Sequence, residues 1–264
     1  MKFRLKTLLL LVIYLILVSY LIKSTARETF GQEEEQLDAA VIVEPRKHEY
    51  LIPIVKDNLK KLPSATKFYV FHGTDNEDFV RSGFGPEIES GKMILKNLGV
   101  KNLKILDYNN LLTSKDFWNS IDGENILIYQ TDTVICGDPG DKLKPFLKYD
   151  YVGAPWVNGK HSNGKGGNGG LSFRKKSAML KALRDKKYNG LADIAEDIYF
   201  SNSDLNFPSQ EEAKKFSAET MYSKSPFGVH KPWGQYKNEI PYLSKKEMSE
   251  LRETCPELST ILEK

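Results

Sequence analysis

The chain has 264 residues, 40% of them hydrophobic, 28% charged and 11% aromatic, an ordinary globular composition with enough length for one large domain or two small ones. The formal charge of +3 is unevenly placed: residues 1–27 hold five bases (Lys2, Arg4, Lys6, Lys23, Arg27) and no acid, leaving 33 bases and 35 acids for the rest. A body so balanced is not a basic nucleic-acid binder, and two cysteines, Cys136 and Cys255, make neither a disulfide framework nor a zinc pattern.

At the amino terminus an uncharged apolar run from Thr7 to Ile22 lies between Lys6 and Lys23. As a helix it spans roughly 24 Å, and the flanking lysines can extend its reach. A cleaved signal peptide ending at Ser24-Thr25-Ala26 is one reading; a retained signal anchor is favoured, because the run is long for a signal h-region. The expected layout is a cytosolic tail (1–6), a transmembrane signal anchor (7–23), a polar stem (24–37), a catalytic domain (38–240) and a C-terminal helical tail (241–264). The bases before the run would keep the terminus cytosolic. The body of this single-pass type II protein would then be lumenal or extracytoplasmic, in the Golgi or ER of a eukaryotic host.

Ala39 to Val43 reads as a buried strand ending at Glu44-Pro45-Arg46. Leu51 to Leu62 has helical apolar spacing and stops at Pro63. A second strand, Lys67 to Phe71, closes on His72-Gly73-Thr74-Asp75-Asn76. The spacing then predicts a helix over 91–98, a third strand over 103–106, a short helix over 115–121 and a fourth strand over 126–135. This alternation predicts an α/β fold with a mostly parallel, Rossmann-like sheet flanked by helices. Such sheets bind ligands beyond the carboxyl ends of their strands. The polar residues after strands one, two and four (Glu44 and Arg46, His72 to Asn76, Gln130 to Thr133) would share that edge. Asp132 is then a carboxylate facing a crevice, and the bland alternative is a turn cap.

The second half is turn-rich and aromatic. The glycine-rich stretch from Asn158 to Gly170 contains a near-match to a phosphate-binding loop, but Gly166 replaces the hydroxyl that would hold Mg²⁺. A lid or a flexible loop explains it better. Asn168-Gly169-Gly170 reads as a close backbone approach to a ligand or as a tight turn entering a helical pattern over 171–183. Glu196-Asp197 precedes the apolar Ile198-Tyr199-Phe200, which can desolvate a carboxylate and raise its proton affinity; the alternative is an acidic first turn of a helix. His230 gains weight only as a partner for Asp132 on a hard cation. The two cysteines allow one bridge, but free buried thiols are the expectation.

The order YQTDT, YDYVGAPW, GNGGLSFR, EDIYF, FGVHKPW resembles the DUF5672 family of glycosyltransferase-like proteins and, more distantly, is similar to GT-A glycosyltransferases, over roughly residues 38–235. The resemblance implies a GT-A-like fold that takes a nucleotide-sugar donor and a glycan, protein or lipid acceptor. The membrane would be a partner through the N-terminal helix, and nucleic acid would not be one. With the strand-edge reading, Glu44, Arg46, Gly73 and Asn76 are expected on the donor with Gln130 and Asp132, and Trp156 is expected on the sugar and acceptor with Asn168, Gly169 and Gly170, the segment that the resemblance puts there. Gln130-Thr131-Asp132 stands where such enzymes carry D-x-D, so Gln130 replaces the first aspartate. Mn²⁺ or Mg²⁺, held by Asp132 and His230, is implied with one carboxylate missing. Asp197 matches the catalytic base of inverting enzymes and Glu196 its support. The expected function is a membrane-anchored hexosyltransferase-like enzyme. The alternatives are a non-catalytic carbohydrate-binding or structural relative and, on the failed loop match alone, a phosphotransferase.

Overall fold

Short runs of β-branched and aromatic residues build the central sheet of the computed structural model, which describes Tyr14 and residues 17–19, 36–157, 161, 164–190, 195–236 and 240–262. Contacts divide the chain into two units, Met1–Glu35 and Gln36–Lys264. In the second unit, β1 (Ala39–Val43), β2 (Lys67–His72), β3 (Met93–Asn97), β4 (Asn125–Tyr129), β6 (Tyr151–Ala154) and β7 (Asn168–Lys175) form one sheet in the order β3-β2-β1-β4-β7-β6. β1 to β4 pair in parallel, and β7 runs antiparallel to both β4 and β6. A second sheet joins β5 (Thr133–Ile135), β9 (Gly228–His230) and β8 (Ser217–Ala218).

The central strands are buried on both faces, as parallel strands between helical layers must be. Their two-residue period divides the core. Ala40, Ile42, Phe68, Val70, Leu127 and Tyr129 pack with the helix Leu51–Lys61. Ala39, Val41, Val43, Tyr69, Phe71, Ile126 and Ile128 pack with Trp118, Met179, Tyr199 and Phe200 on the other side.

Four expected elements move. The third strand is Met93–Asn97, whereas Ile105 begins the helix Ile105–Leu112. The helix before that strand is Glu77–Glu89. The expected fourth strand is two strands of different sheets, with Gln130, Thr131 and Asp132 as the turn between them. Residues 168–175 are strand β7 before the helix Lys176–Asp185, so Asn168-Gly169-Gly170 is no turn into a helix.

The transmembrane expectation is corrected. No helix among the described residues is long and apolar enough to cross a membrane. Within 7–23 only Tyr14 and residues 17–19 are described, as helix; the cytosolic tail and nearly all of the stem lie outside the described residues. The signal anchor, the type II lumenal placement, the membrane partner and the membrane-anchored form of the function fall with it.

The cysteines are also corrected: Cys136 and Cys255 form a disulfide, 119 residues apart in sequence and fully buried. It fastens the end of the helix Lys245–Thr254 to the residue after β5. Beside it, Lys61 Nζ donates to Ile135 O (2.7 Å) and Glu257 Oε1 (2.7 Å), and Gly137 N–H donates to the same carboxylate oxygen (3.0 Å). Closing so long a loop restricts the unfolded chain, by up to about 4–5 kcal/mol on the chain-entropy account. Reduction under native conditions should therefore lower the urea midpoint markedly. An unchanged midpoint would show that packing alone holds the C-terminal segment.

Candidate active site

The strand order reverses between β1 and β4: the chain leaves β1 towards β2 on one side, and β4 lies on the other. A crevice opens at such a switch point, beyond the carboxyl ends of the two strands. Here it is a cleft of about 610 Å³, walled by Glu44 and Arg46 after β1, by Gln130, Thr131 and Asp132 after β4, and by Asn168, Gly170, Glu196, Asp197, Glu219, His230 and Lys231. The turn that interrupts the expected fourth strand is thus what delivers Asp132 to the cleft.

β5 and β9 pair Thr133 with His230, which brings His230 beside Asp132. His230 Nε2 lies 3.4 Å from Asp132 Oδ1, and His230 Nδ1 lies 3.3 Å from Glu219 Oε2. Both distances are long for hydrogen bonds. Asp132 Oδ1, Glu219 Oε2 and His230 Nδ1 are buried with charge partners but no directed hydrogen bond. Burial disfavours the His230 imidazolium, but the two carboxylates outweigh burial and push its pKa up to about 10. Burial acts to raise the pKa of Asp132, but His230 and Lys231 hold it below the usual carboxylate range.

Lys231 follows at φ 42°, the one non-glycine residue with positive φ among the described residues. Its N–H donates to Asp132 O (3.1 Å). A lysine in left-handed backbone is strained, and such strain gathers at functional sites.

The second cluster is built on β7. Arg174 is fully buried, and its guanidinium donates to both oxygens of Glu196, at 2.6 and 2.9 Å. Arg174 Nε donates to Ser172 Oγ (2.9 Å), and the guanidinium lies over the rings of Tyr151, Phe200 and Trp118. Burial alone would lower the Arg174 pKa; the Glu196 charge reverses that and raises it. Glu196 and Asp197 form the first turn of the helix Glu196–Ser201. Asp197 Oδ2 accepts from Gly169 N–H (3.1 Å), and its Oδ1 accepts from Ile198 N–H (2.8 Å). Burial, and then the neighbouring Glu196 charge, push Asp197 up to about 6.

Gly169 and Gly170 join the two clusters. A Cβ on Gly169 would come within 2.4 Å of the Arg174 guanidinium and 2.5 Å of Glu196 Oε1; on Gly170 it would come within 2.3 Å of His230 Nε2. Glycine is required by close approach here, and the approaching groups are side chains of the site itself.

Nine of the thirteen expected site residues line the cleft: Glu44, Arg46, Gln130, Asp132, Asn168, Gly170, Glu196, Asp197 and His230. Gly169 backs the cluster just described. Gly73 and Asn76 stand behind the wall. Asn76 is buried, donating to Glu44 O (2.9 Å) and Arg46 O (2.8 Å) and accepting from Gly73 N–H (2.8 Å), so it ties the loops after β1 and β2 together. Trp156 is not in the lining; its ring meets His161 edge-on and its carbonyl accepts from Gln210 Nε2 (2.8 Å). Arg46 is held by Glu44, two bonds of 2.8 Å. Gln130 Nε2 donates to Tyr108 Oη (3.1 Å).

Arg174, Glu219, Lys104, Lys231 and Tyr108 were not expected in the site. A lone arginine inside an apolar strand is a signal that could have marked Arg174; the others carry none.

No group of three or more His, Cys, Asp or Glu side chains among the described residues is arranged to hold a metal. Asp132 Oδ1, which lacks a hydrogen bond, and the adjacent His230 Nε2 fit a divalent cation whose remaining donors are ligand oxygens, the usual condition for Mg²⁺. Such an ion would have to displace the proton on His230.

Breaking the buried pair leaves an uncompensated charge. Arg174→Met should cost about 3–5 kcal/mol in urea unfolding, and Arg174→Met with Glu196→Leu should recover much of that loss. A double variant no more stable than the single one would show that the pair holds nothing beyond its own packing.

Residues 95–230 match a family described as "Protein of unknown function (DUF5672)". No curated protein matches the chain. Among solved structures, the chain is similar to the glycosyltransferase GlyE of Streptococcus pneumoniae TIGR4, at 14% identity and a TM-score of 0.50, covering 87% of this chain and 63% of that one. It therefore spans less than two thirds of the length of GlyE. The galactosyltransferase LgtC, in complex with donor and acceptor sugar analogues, matches at 11% identity over 82% of this chain and 96% of that one, with a TM-score of 0.47. The mannosyltransferase PcManGT of Pyrobaculum calidifontis, in complex with GDP-Man and Mn²⁺, matches at 16% identity over 69% and 57%, with a TM-score of 0.41. Neither of these two carries weight at such scores. The fold is mixed α/β and resembles that of glycosyltransferases. With the family match covering more than half of the chain, from β3 through His230, this protein belongs to the DUF5672 family.

Proposed function

We propose that the cleft transfers a sugar from a nucleotide-sugar donor to an acceptor hydroxyl, with inversion. The observation that carries this reading is Asp197: a carboxylate on the cleft wall whose surroundings raise its proton affinity to about 6. A base of that strength is largely ionised at neutral pH and still accepts a proton usefully. Asp197 takes the acceptor proton as the acceptor oxygen bonds to the anomeric carbon. The bond from that carbon to the diphosphate oxygen breaks, and its electron pair leaves with the nucleoside diphosphate. Glu196 has both oxygens on Arg174 and acts by holding the helical turn.

Asp132, His230 and Lys231 lie where the diphosphate would sit at the switch point. Lys231 and the imidazolium supply positive charge there; a divalent cation on Asp132 and His230 would take the place of the imidazolium proton and supply Lewis-acid stabilisation of the leaving group instead. Glu44 and Arg46 present a fixed polar edge to the rest of the donor. The likeness in fold to GlyE supports the reading. The second reading, a non-catalytic carbohydrate-binding relative, is favoured by one observation: Gln130, in place of a second carboxylate, is spent on Tyr108.

The decisive experiment is a donor-hydrolysis and transfer screen on residues 36–264, with and without Mn²⁺. In the active pairing, Asp197→Asn should lower turnover ~10²–10⁴-fold and leave donor affinity intact. The wild-type rate should fall as pH drops through about 6, where Asp197 takes its own proton, and the variant should lack that limb. Near-normal transfer by Asp197→Asn removes it as the base; no turnover with any donor favours the binding module.

Calorimetry with nucleoside diphosphates addresses the other end of the cleft. Lys231→Ala should weaken binding by roughly tenfold, about the worth of one charge-assisted contact. Asp132→Ala should abolish any dependence on the divalent ion. Unaltered binding in both variants would take these residues out of the donor site.

A further inference from the structure

Gln130 and Tyr108 both line the cleft, and Gln130 Nε2 donates to Tyr108 Oη (3.1 Å). That bond uses only part of each group. Gln130 Oε1 accepts no hydrogen bond among the described residues, and the Tyr108 O–H finds no acceptor among them. Gln130 Oε1 is not sealed inside the protein. The cleft wall therefore carries one idle acceptor and one idle donor, joined by a hydrogen bond.

Both groups are held in place. The carbonyl of Gln130 accepts from Thr133 N–H (3.2 Å) and Thr133 Oγ1 (2.7 Å), which closes the turn between β4 and β5. Tyr108 sits in the helix Ile105–Leu112, where its N–H donates to Lys104 O (3.0 Å), and its ring packs against the core that holds Trp118 and Tyr199. The next residue, Asn109, accepts from the Glu196 N–H through Oδ1 (3.3 Å). The pair thus stands between the two ends of the site: Gln130 is two residues before Asp132, and Tyr108 is next to the residue that touches the Glu196–Asp197 turn. Burial, and then the Glu196 charge, hold the Tyr108 phenol well above its ordinary pKa, so it stays a donor at neutral pH.

The donor and acceptor inventory selects what such a pair takes. An ionised phosphate or carboxylate would accept from Tyr108 but has no proton for Gln130 Oε1. An ammonium would donate to Oε1 but cannot accept from the phenol. A hydroxyl does both, and closes a ring of three hydrogen bonds in which each polarises the next. We infer that Tyr108 and Gln130 read one hydroxyl of the transferred sugar, so that the donor sugar carries a free hydroxyl at the position facing them. This rests on the transfer reading above, which puts the diphosphate at Asp132 and the acceptor at Asp197, with the transferred ring between them. A site built to bond a hydroxyl rejects the analogue that lacks it, because its own polar groups are then left unpaired. A purely structural bond, tying the helix to the turn, would impose nothing on the ligand.

The test is calorimetry on the full chain with UDP-glucose, UDP-galactose and GDP-mannose, each beside its own nucleoside diphosphate. Tyr108→Phe should weaken the nucleotide-sugar that binds best by about tenfold, the worth of one hydrogen bond lost at an otherwise unpaired group. The matching nucleoside diphosphate should bind as before. Gln130→Met removes both amide groups at similar volume and should act alike. Tyr108→Phe keeps the ring and its packing, so a thermal melt should be unaltered. Monodeoxyfluoro analogues of that nucleotide-sugar, substituted at C2, C3, C4 or C6, then locate the hydroxyl. One of them should bind the wild-type chain about tenfold weaker and cost the Tyr108→Phe chain nothing further, the non-additivity that marks a direct contact. The proposal is overturned by an equal loss for nucleotide-sugar and nucleoside diphosphate, by no loss in either variant, by analogues that all bind alike, or by failure of all three nucleotide-sugars to bind. The measurement needs no turnover. A coupled loss in a chain that transfers nothing keeps the hydroxyl contact and removes the transferase; transfer by a chain whose sugar affinity ignores both variants does the reverse.

Discussion

The buried ion pair between Arg174 and Glu196 is the interaction on which the site depends. It joins the central sheet to the short helix that carries Asp197, through two hydrogen bonds in a shell of Tyr151, Phe200 and Trp118. Taking two charges out of water is expensive, and an apolar pair of equal volume would hold a core as well or better. What an apolar pair lacks is direction. The guanidinium fork accepts a carboxylate in one plane, and that fixes the first turn of the helix against Gly169. The N–H of Gly169 then fixes Asp197. The position of Asp197 is thus set by its two neighbours, one covalent and one across the sheet edge.

The same construction separates two carboxylates within one cleft. Asp197 has Glu196 beside it and no cation of its own, so burial and like charge raise its proton affinity. Asp132 lies against the His230 imidazolium and near Lys231, and its proton affinity falls. Two aspartates with opposite shifts suit opposite tasks, one exchanging a proton near neutral pH and the other remaining an anion. Gly169 and Gly170 are what let the two environments sit side by side, since any Cβ there would drive into Arg174, Glu196 or His230.

Parts of this were legible in the sequence. β1, β2 and the helix Leu51–Lys61 stand out because their apolar periods are unbroken and end at proline or polar clusters. Asp132 and Asp197 stand out as carboxylates beside apolar runs. Met93–Asn97 did not, because five residues of mixed character fit a helix or a strand equally. β7 did not, because paired glycines normally weaken a strand, and the reason for them lies in Arg174, five positions beyond Gly169, in Glu196, 27 beyond it, and in His230, 60 beyond Gly170. Arg174 reads as one stray charge until Glu196 is placed against it. The disulfide closes a separation of 119 residues, and no local pattern records such a pairing. The amino-terminal run misled in the other direction: its apolar length and flanking lysines argued for a membrane span, and no helix among the described residues is long and apolar enough to be one.

Charge pairing within the cleft gives the site its polarity. Glu44 is satisfied by Arg46, Glu196 by Arg174, and Asp132 and Glu219 share His230. Three cations thus offset four carboxylates, and all of these groups are held by their partners. Lys104 and Lys231 line the same cleft, and neither makes a salt bridge among the described residues. Asp197 is the lining carboxylate with no such bridge. The lining groups without a salt bridge are therefore two ammonium ions and one carboxylate of raised proton affinity, held by the N–H groups of Gly169 and Ile198. Ammonium groups attract an anion, and a partly buried carboxylate without a cation beside it attracts a proton or a hydroxyl that carries one. A ligand pair made of a phosphate-bearing donor and a hydroxyl-bearing acceptor meets both demands in one cleft; a neutral sugar alone would leave the two lysines without a counter-charge.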